Sequence, residues 1–417
     1  MAKPKLALIP AAQGTKFYSV LPSDGTGDFT FTRGSVATRI NAQGLIENVA
    51  SGQSRLDYPL IDGVQKGCPH HILEPARTQK LQYSEDFSQS IWTKDNTNLS
   101  SGFISPDGTA NAYKLTENTA QNSRHRLYSE ASTVNNGATL STSIFVKSAE
   151  RSWILLREST TDYGYYFNNG IAGSKTGSPL SYNIESFPNG WYRYTVTTVT
   201  PNTSGRLILS IVTEDGGDRY DGDGTSGVYI WGAMLEEGSY PTSYIPNNGN
   251  AAGVTRSAET ATGAGNSTTF NDSEGVLMAE ISALADDLTY RFISLSDGTS
   301  NNRISLYYGD ASNRVTYEFK SEGVASYLFS NTAVITNFNK ILVKYKLNDF
   351  QLWINGFKIL ISTSGAAPVG LSSLNFDSSI GADKFSGKTK EVQYFDSALA
   401  DTQLEQLTSW QSFRDMA

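Results

Sequence analysis

The chain has 417 residues, with 33 Lys and Arg against 41 Asp and Glu, a formal net charge of −8, 18% charged and 11% aromatic residues. No basic run appears anywhere, so phosphate-backbone neutralisation lacks an instrument and no nucleic-acid partner is expected. The single cysteine, Cys68, forbids an intrachain disulfide and is expected to be a buried or idle thiol, and no stretch approaches the ~18 apolar residues of a membrane span.

At roughly 150 residues per domain, two or three domains are expected, each large enough for its own core. Near the start, the apolar stretch Leu6 to Ile9 is cut off by Pro10 and falls short of the ~7 to 15 residues of a secretory core, so no signal peptide is expected. Residues 1–80 carry many turn signals and only short alternating pieces, such as 28–33 and 37–40. A segment of that kind cannot bury enough surface alone and is expected to lean on neighbours as an N-terminal anchoring and assembly segment.

Residues 81–250 alternate polar and apolar positions in short runs, of which 139–147, 191–199, 207–212 and 228–235 are the most strand-like. No helical period intervenes, which favours an antiparallel sandwich over a parallel α/β sheet. Residues 251–268 are small and polar and read as a linker. From 269 to 417 a second sandwich is expected, with Asn355-Gly356 between apolar runs as a hairpin turn. One short helix should close the chain, capped near Asp401 or Thr402, with Leu404 and Leu407 on one face. The fold class expected is therefore all-β: an extended N-terminal anchoring segment, two antiparallel β-sandwich (jelly-roll) domains and one short C-terminal helix.

Several segments carry a resemblance. "GWYR" (190–193), "GVYIWGAMLEEGSYPTSYIP" (227–246) and "VTRSAE" (254–259) resemble the closing segment of a jelly-roll module, akin to carbohydrate-binding modules, of bacteriophage tail- and head-fibre proteins. "DFTFTRGSVATRINAQGLIENV" (28–49), "RLDY" (55–58) and "CPHHILEPART" (68–78) are similar to the block that precedes such jelly-rolls, and "LQYSEDFSQSIWTK" (81–94) is a further phage-fibre motif. "FQLWING" (350–356) and "VQYFDSALADTQLEQL" (392–407) resemble laminin-G and concanavalin-like domains, with Ala400 standing where that pattern usually has Thr. The resemblance implies a virion structural protein, a head- or tail-fibre or decoration component. It would be made in the bacterial cytoplasm, released by lysis and carried on the particle surface. It implies as partners other virion proteins (capsid, portal, tail or fibre subunits), host-surface polysaccharide, and copies of itself, with a trimer as the guess from fibre geometry. The second reading is a glycan-degrading depolymerase, although the parallel β-helix repeats usual in that class are absent.

Trp153, Tyr163, Tyr165 and Tyr166 lie on or beside first-sandwich strands, where exposed rings could stack on a sugar while Arg157, Asn168 or Asn169 bonds its hydroxyls. The competing reading is that these rings are core, as Trp191 and Trp231 are expected to be. Asp215, Asp218, Asp221 and Asp223 gather on a glycine-rich loop, an oxygen-rich set that could hold Ca²⁺. The same residues are ordinary turn formers, and Arg219 could neutralise one of them without metal. His70 and His71 should point to opposite sides of an extended chain and hold no metal, and His125 should sit on the surface. Glu236 with Glu237, and Asp286 with Asp287, are sequence neighbours whose side chains diverge, unlike the carboxylates that face each other across a bond in a glycosidase. No nucleophile elbow, phosphate loop or HExxH is present, so no catalysis is expected.

Overall fold

Alternation of β-branched and aromatic residues with smaller ones builds the longest strand, Gly227–Glu237, at the heart of a six-stranded antiparallel sheet. Its neighbours are Ala112–Glu117 and Thr139–Ser148, with Thr97–Phe103 at one edge and Trp191–Val199 then Ser181–Phe187 at the other. A second six-stranded sheet faces it, in the order Trp92–Asp95, His125–Ser129, Leu207–Val212, Trp153–Glu158, Tyr163–Asn168, Ile171–Thr176. Leu115, Ile144, Val146, Leu156, Leu209 and Ile230 fill the space between the two. The computed structural model describes residues 3–9, 21–158 and 161–410; Pro10 and the end of the 269–417 unit fall outside them.

The second sandwich pairs a five-stranded sheet, Val324–Ser330, Val315–Ser321, Arg303–Tyr308, Arg291–Ser296, Ser373–Asn375, with a larger one. In the larger sheet Phe357–Ser362, Phe350–Ile354, Asn339–Lys346, Glu274–Ala283 and Gly387–Phe395 run in that order. Asn355 and Gly356 both take positive φ, 51° and 88°, as the tight hairpin between Phe350–Ile354 and Phe357–Ser362 demands. The helix Asp401–Thr408 buries Leu404 and half-buries Leu407. Ala400 has no side-chain acceptor to offer, so only half of a capping box forms: the Ala400 N–H donates to Gln403 Oε1 at 3.1 Å.

Residues 3–9 and 21–80 are threaded through both sandwiches. Arg55–Asp57 and His70–Leu73 extend the larger sheet of the second sandwich beyond Gly387–Phe395, and Leu6–Leu8 pairs with the other half of that same strand. Leu6, Leu8, Phe29 and Leu73 thereby enter the second core. On the opposite side, Ile46 joins Phe145, Trp191, Trp231, Met234 and Tyr244 in a cluster that covers the outer face of the first sandwich's central sheet. Trp191 and Trp231 are buried there, as expected of core residues. The span 251–268 is a seam and does not behave as a linker. Val254–Arg256 pairs with Arg77–Gln79, and Thr260–Thr262 pairs with Thr30–Thr32. The small residues read as linker include Ala261 and Ala264, which are core residues of the second sandwich.

Charge fastens this seam. Glu259, Glu74, Arg55, Arg256 and Arg33 are all buried. Arg55 donates through Nε to Glu259 Oε1 at 2.8 Å and through Nη2 to Glu74 Oε2 at 2.7 Å, and also bonds Glu259 Oε2. Arg33 Nη1 donates to Glu259 Oε1 at 2.7 Å, and Arg256 Nη1 lies 2.8 Å from Glu74 Oε2. The Ser243 N–H and hydroxyl complete the shell of Glu74 at 2.8 and 2.6 Å. Burial alone would push the Glu74 carboxyl up, but Arg256, Arg55 and the Ser243 bonds hold it well below the usual carboxylate range. Burial likewise opposes the Arg55 charge, and Glu259 and Glu74 more than offset it. His71, packed alongside, is pushed down to about 4, chiefly by burial. His70 faces the other way, with Nε2 3.3 Å from Asp57 and its ring against Phe338. Cys68, expected to be buried or idle, is exposed.

Two outcomes follow from this seam. Glu259→Gln leaves Arg33 and Arg55 buried with too few acceptors, so unfolding should become easier by about 3–5 kcal/mol, read by chemical denaturation. Because the folded His71 binds its proton less readily than the unfolded ring, its contribution is intact above the ordinary 6.5 and is lost as pH falls toward 4. The thermal midpoint should therefore decline across that window, and His71→Gln should flatten the decline.

Candidate functional site

The strands Trp153–Glu158 and Tyr163–Asn168 place Trp153 opposite Asn168, Leu155 opposite Tyr166, and Arg157 opposite Gly164. Since successive side chains alternate between faces, these six positions share one face of the second sheet, while Ile154, Leu156, Phe167 and Tyr165 turn to the other. Ile154, Leu156 and Phe167 are in the core and Tyr165 packs on its edge, with its ring centroid 4.9 Å from Tyr182. Of the seven residues expected to contact a sugar, the structure thus groups Trp153, Arg157, Tyr166 and Asn168. Tyr163 and Tyr165 lie on the inward-facing side, and Asn169 occupies the turn at φ 46°, where its Oδ1 accepts from the Ser148 hydroxyl.

On the outer face Leu155, Tyr166 and Val212 form a small apolar floor against which the half-buried Trp153 packs. Arg157 donates to Asp162 Oδ1 at 2.8 Å and to Ser210 Oγ at 3.3 Å, leaving its Nε buried without a partner. Asn168 Oδ1, beside Trp153, is also buried and unbonded. Two unbonded polar atoms, of a kind that buried groups ordinarily avoid, thus lie on this one face. Burial, with Asp218 and Asp215 nearby, raises the Tyr166 phenol and keeps it neutral. Burial also works against the Arg157 charge, and Asp162 offsets this in part.

The neighbouring strand supplies Arg126 and Tyr128 to the same face, with Arg126 and Arg206 each over the Tyr128 ring at 5.7 and 5.6 Å. The alternation in 124–128 carried that signal, yet it was read only as far as a surface histidine. His125 is instead fully buried, with Nδ1 2.9 Å from Asn96 O and its ring 4.5 Å from Tyr220, because alternation sends Arg124 and Arg126 outward and His125 and Leu127 inward.

The four aspartates expected to gather around calcium are not brought together. Asp215 accepts from the N–H and hydroxyl of Ser174, both at 2.8 Å, and Asp218 accepts from Arg124 Nε at 2.7 Å. Asp221 accepts from the Asn122 N–H at 2.7 Å, and Asp223 holds the turn at Thr225 and Ser226. Each is spent on a local turn or an ion pair, and hydrogen bonding to Arg124 holds Asp218 below its ordinary value. Among the described residues no group of three or more His, Cys, Asp or Glu side chains could hold a metal ion.

The neighbouring carboxylates also serve separate partners. Glu236 accepts from Thr242 and Glu237 from Asn135, while Asp286 accepts from Ser312 and Asp287 pairs with Arg291. A further aromatic face went unread in the sequence. In the second sandwich Phe292 stacks on Tyr307 at 4.1 Å, flanked by the exposed Tyr290, Tyr327 and Phe329. Its residues come from three separate strands, so no local pattern announces them.

No family model matches the sequence, and no curated protein matches it. Among solved structures the chain is similar to the CBM40 of the Ruminococcus gnavus IT-sialidase bound to α2,3-sialyllactose, at 18% identity over 35% of this chain and 88% of that one, with a TM-score of 0.31. It is also similar to domain 4 of AbnA, a GH43 extracellular arabinanase from Geobacillus stearothermophilus, in complex with arabinotriose (12% identity, 36% and 73% covered, TM-score 0.30). Domains LG4-5 of the mouse laminin α1 chain match at 9% identity over 82% of this chain and 96% of that one, with a TM-score of 0.24. No helix among the described residues is long and apolar enough to cross a membrane.

Gly173 makes the position of Trp153 possible. A Cβ there would lie 2.9 Å from Trp153 Cζ3 and would also press on the Asp215 carboxylate. Gly173→Ala should therefore lower stability by about 1–3 kcal/mol, and part of that loss should vanish in a Trp153→Ala background while the closer clash with Asp215 persists, a coupling that thermal unfolding of the double mutant measures.

Proposed function

We propose that this chain is a structural component of a bacteriophage particle, a head- or tail-fibre or decoration protein, that offers the outer face around Trp153 to a host-surface glycan. The placement on a particle rests on the fibre-like motifs of 28–49, 55–58, 68–78 and 227–259. The buried side chains of the seam, Arg33, Arg55, Glu74, Arg256 and Glu259, all fall within those motifs. The glycan reading is carried by a single observation: a half-buried indole beside an unbonded amide oxygen, Asn168 Oδ1, and a guanidinium with an unbonded N–H, Arg157 Nε. Sugar rings present apolar C–H faces edged by hydroxyls, and that pairing of ring and amide answers both.

Affinity at one such face is weak, and repetition over many copies on a particle converts it to useful avidity. A homo-oligomer, with a trimer as the simplest fibre geometry, would supply the copies. In this reading the N-terminal block also meets other virion proteins.

The test is binding of the intact protein to purified capsule and lipopolysaccharide from host strains on a glycan array. Trp153→Ala should weaken retention at least about tenfold, equivalent to about 1.4 kcal/mol, with the native circular dichroism spectrum retained at the assay temperature. Silence of the wild-type protein across host polysaccharides removes the glycan role. Release of reducing ends during the same incubation would favour a depolymerase.

A further inference from the structure

A cleft of about 490 Å³ opens where the N-terminal block, the first sandwich and the second sandwich meet. Arg39 and Asp57 line it from the block, Asn183, Glu185 and Arg193 from the first sandwich, and Lys388 from the second. Its size falls within the range of small-ligand sites, and convergence of several structural units on one cavity is a common setting for them. It lies on the other sheet of the first sandwich from the Trp153 face and shares no residue with it.

Most charges around the cleft are paired by direct contact. Arg39 pairs with Glu47, donating to it through Nε at 2.6 Å. Arg193 Nη1 lies 3.5 Å from Glu185 Oε2 and donates to Thr242 O at 2.7 Å. Asp57 Oδ1 accepts from the Ile40 N–H at 2.7 Å, while Oδ2 lies 3.3 Å from His70, whose protonation burial disfavours, and the Lys388 ammonium acts on the Asp57 charge through space. Lys388 is half-buried and, among the described residues, has neither a hydrogen bond nor an ion pair. The next lysine on that strand, Lys390, is by contrast 3.4 Å from Glu280. A half-buried ammonium without a direct acceptor keeps its hydrogen bonds free to give to an anionic oxygen.

Glu185 supplies the second element. Its Oε2 is buried toward Arg193 and makes no hydrogen bond, while the side chain as a whole is 41% exposed, so the other oxygen faces open space. With Arg193 already balancing its charge, this carboxylate needs hydrogen-bond donors and not a cation. Ser181 and Thr336 add exposed hydroxyls to the rim, where the Ser239 hydroxyl already donates to Asp287 at 3.0 Å, and the amide of Asn183 joins them. A ligand with one carboxylate and several hydroxyls satisfies all of these groups, whereas an apolar ligand satisfies none.

We propose that this cleft binds an acidic sugar unit, a hexuronic acid, with its carboxylate on the Lys388 ammonium and its ring hydroxyls donating to Glu185. Because all three units line the cavity, the bound sugar also ties them together, and binding raises the temperature at which the units separate.

Calorimetric or NMR titration of the full chain with D-glucuronate and D-galacturonate, against D-glucose as the uncharged match, tests this. Saturable uronate binding at least tenfold tighter than glucose is expected. Lys388→Met should erase that preference, Lys388→Arg should keep it, and Glu185→Gln should weaken the uronate and glucose alike. Trp153→Ala should leave uronate binding unchanged, which separates this cleft from the outer face. The proposal is overturned by absence of saturable uronate binding, by a preference that survives Lys388→Met, or by uronate binding that falls with Trp153→Ala and not with Lys388→Met. Should Lys388→Met not fold, loss of the preference in Lys388→Arg would equally overturn it.

Discussion

Glu259 sits buried between two arginines, Arg33 and Arg55, and the placement of residues 21–80 depends on that contact. Burying three guanidinium groups and two carboxylates gains little net stability, because desolvation consumes most of the attraction. What the arrangement supplies is exclusivity. Arg33, Arg55 and Glu74 come from the N-terminal block, and Arg256 and Glu259 from the exit of the first sandwich. Any other docking of these segments strands at least one buried charge, so alternatives are penalised far more heavily than the native pairing is favoured.

The sandwiches themselves were largely legible. Strands such as 139–148, 191–199 and 303–308 alternate so plainly that period-two reading finds them, and the Asn355-Gly356 turn and the closing helix announce themselves locally. Edge strands were missed where hydroxyls, glycine and charge dilute the pattern, as in Thr97–Phe103, Ile171–Thr176 and Ser181–Phe187. The seam was invisible for a different reason. Arg55 and Glu259 are 204 positions apart, and no local period reports a bond across that distance. The candidate site was legible in part: the residue types around Trp153 were right, but splitting Tyr165 from Tyr166 required knowing which face each strand buries. The aspartate loop misled because turn formers and calcium ligands are the same residues, and only geometry separates them.

The two faces of the first sandwich have been put to different uses. The outer face of the central sheet is given over to Ile46, Tyr244 and Ile245, and so becomes the join to the rest of the molecule. The outer face of the other sheet carries a small apolar floor, itself buried beneath the half-buried Trp153 and a rim of arginines and aspartates. Covering one side rigidly steadies the scaffold on which the other holds its side chains.

Leu6–Leu8 hydrogen-bonds to Gly387–Phe395, so the second sandwich closes only when strands from opposite ends of the polypeptide meet. During synthesis the first sandwich can form behind the ribosome, while the early strands wait, solvated and unpaired, for a partner made nearly last. Such a topology folds slowly and exposes sticky edges meanwhile. In exchange it joins strands almost four hundred positions apart in one sheet, so that neither can peel away without tearing the backbone pairing of the other.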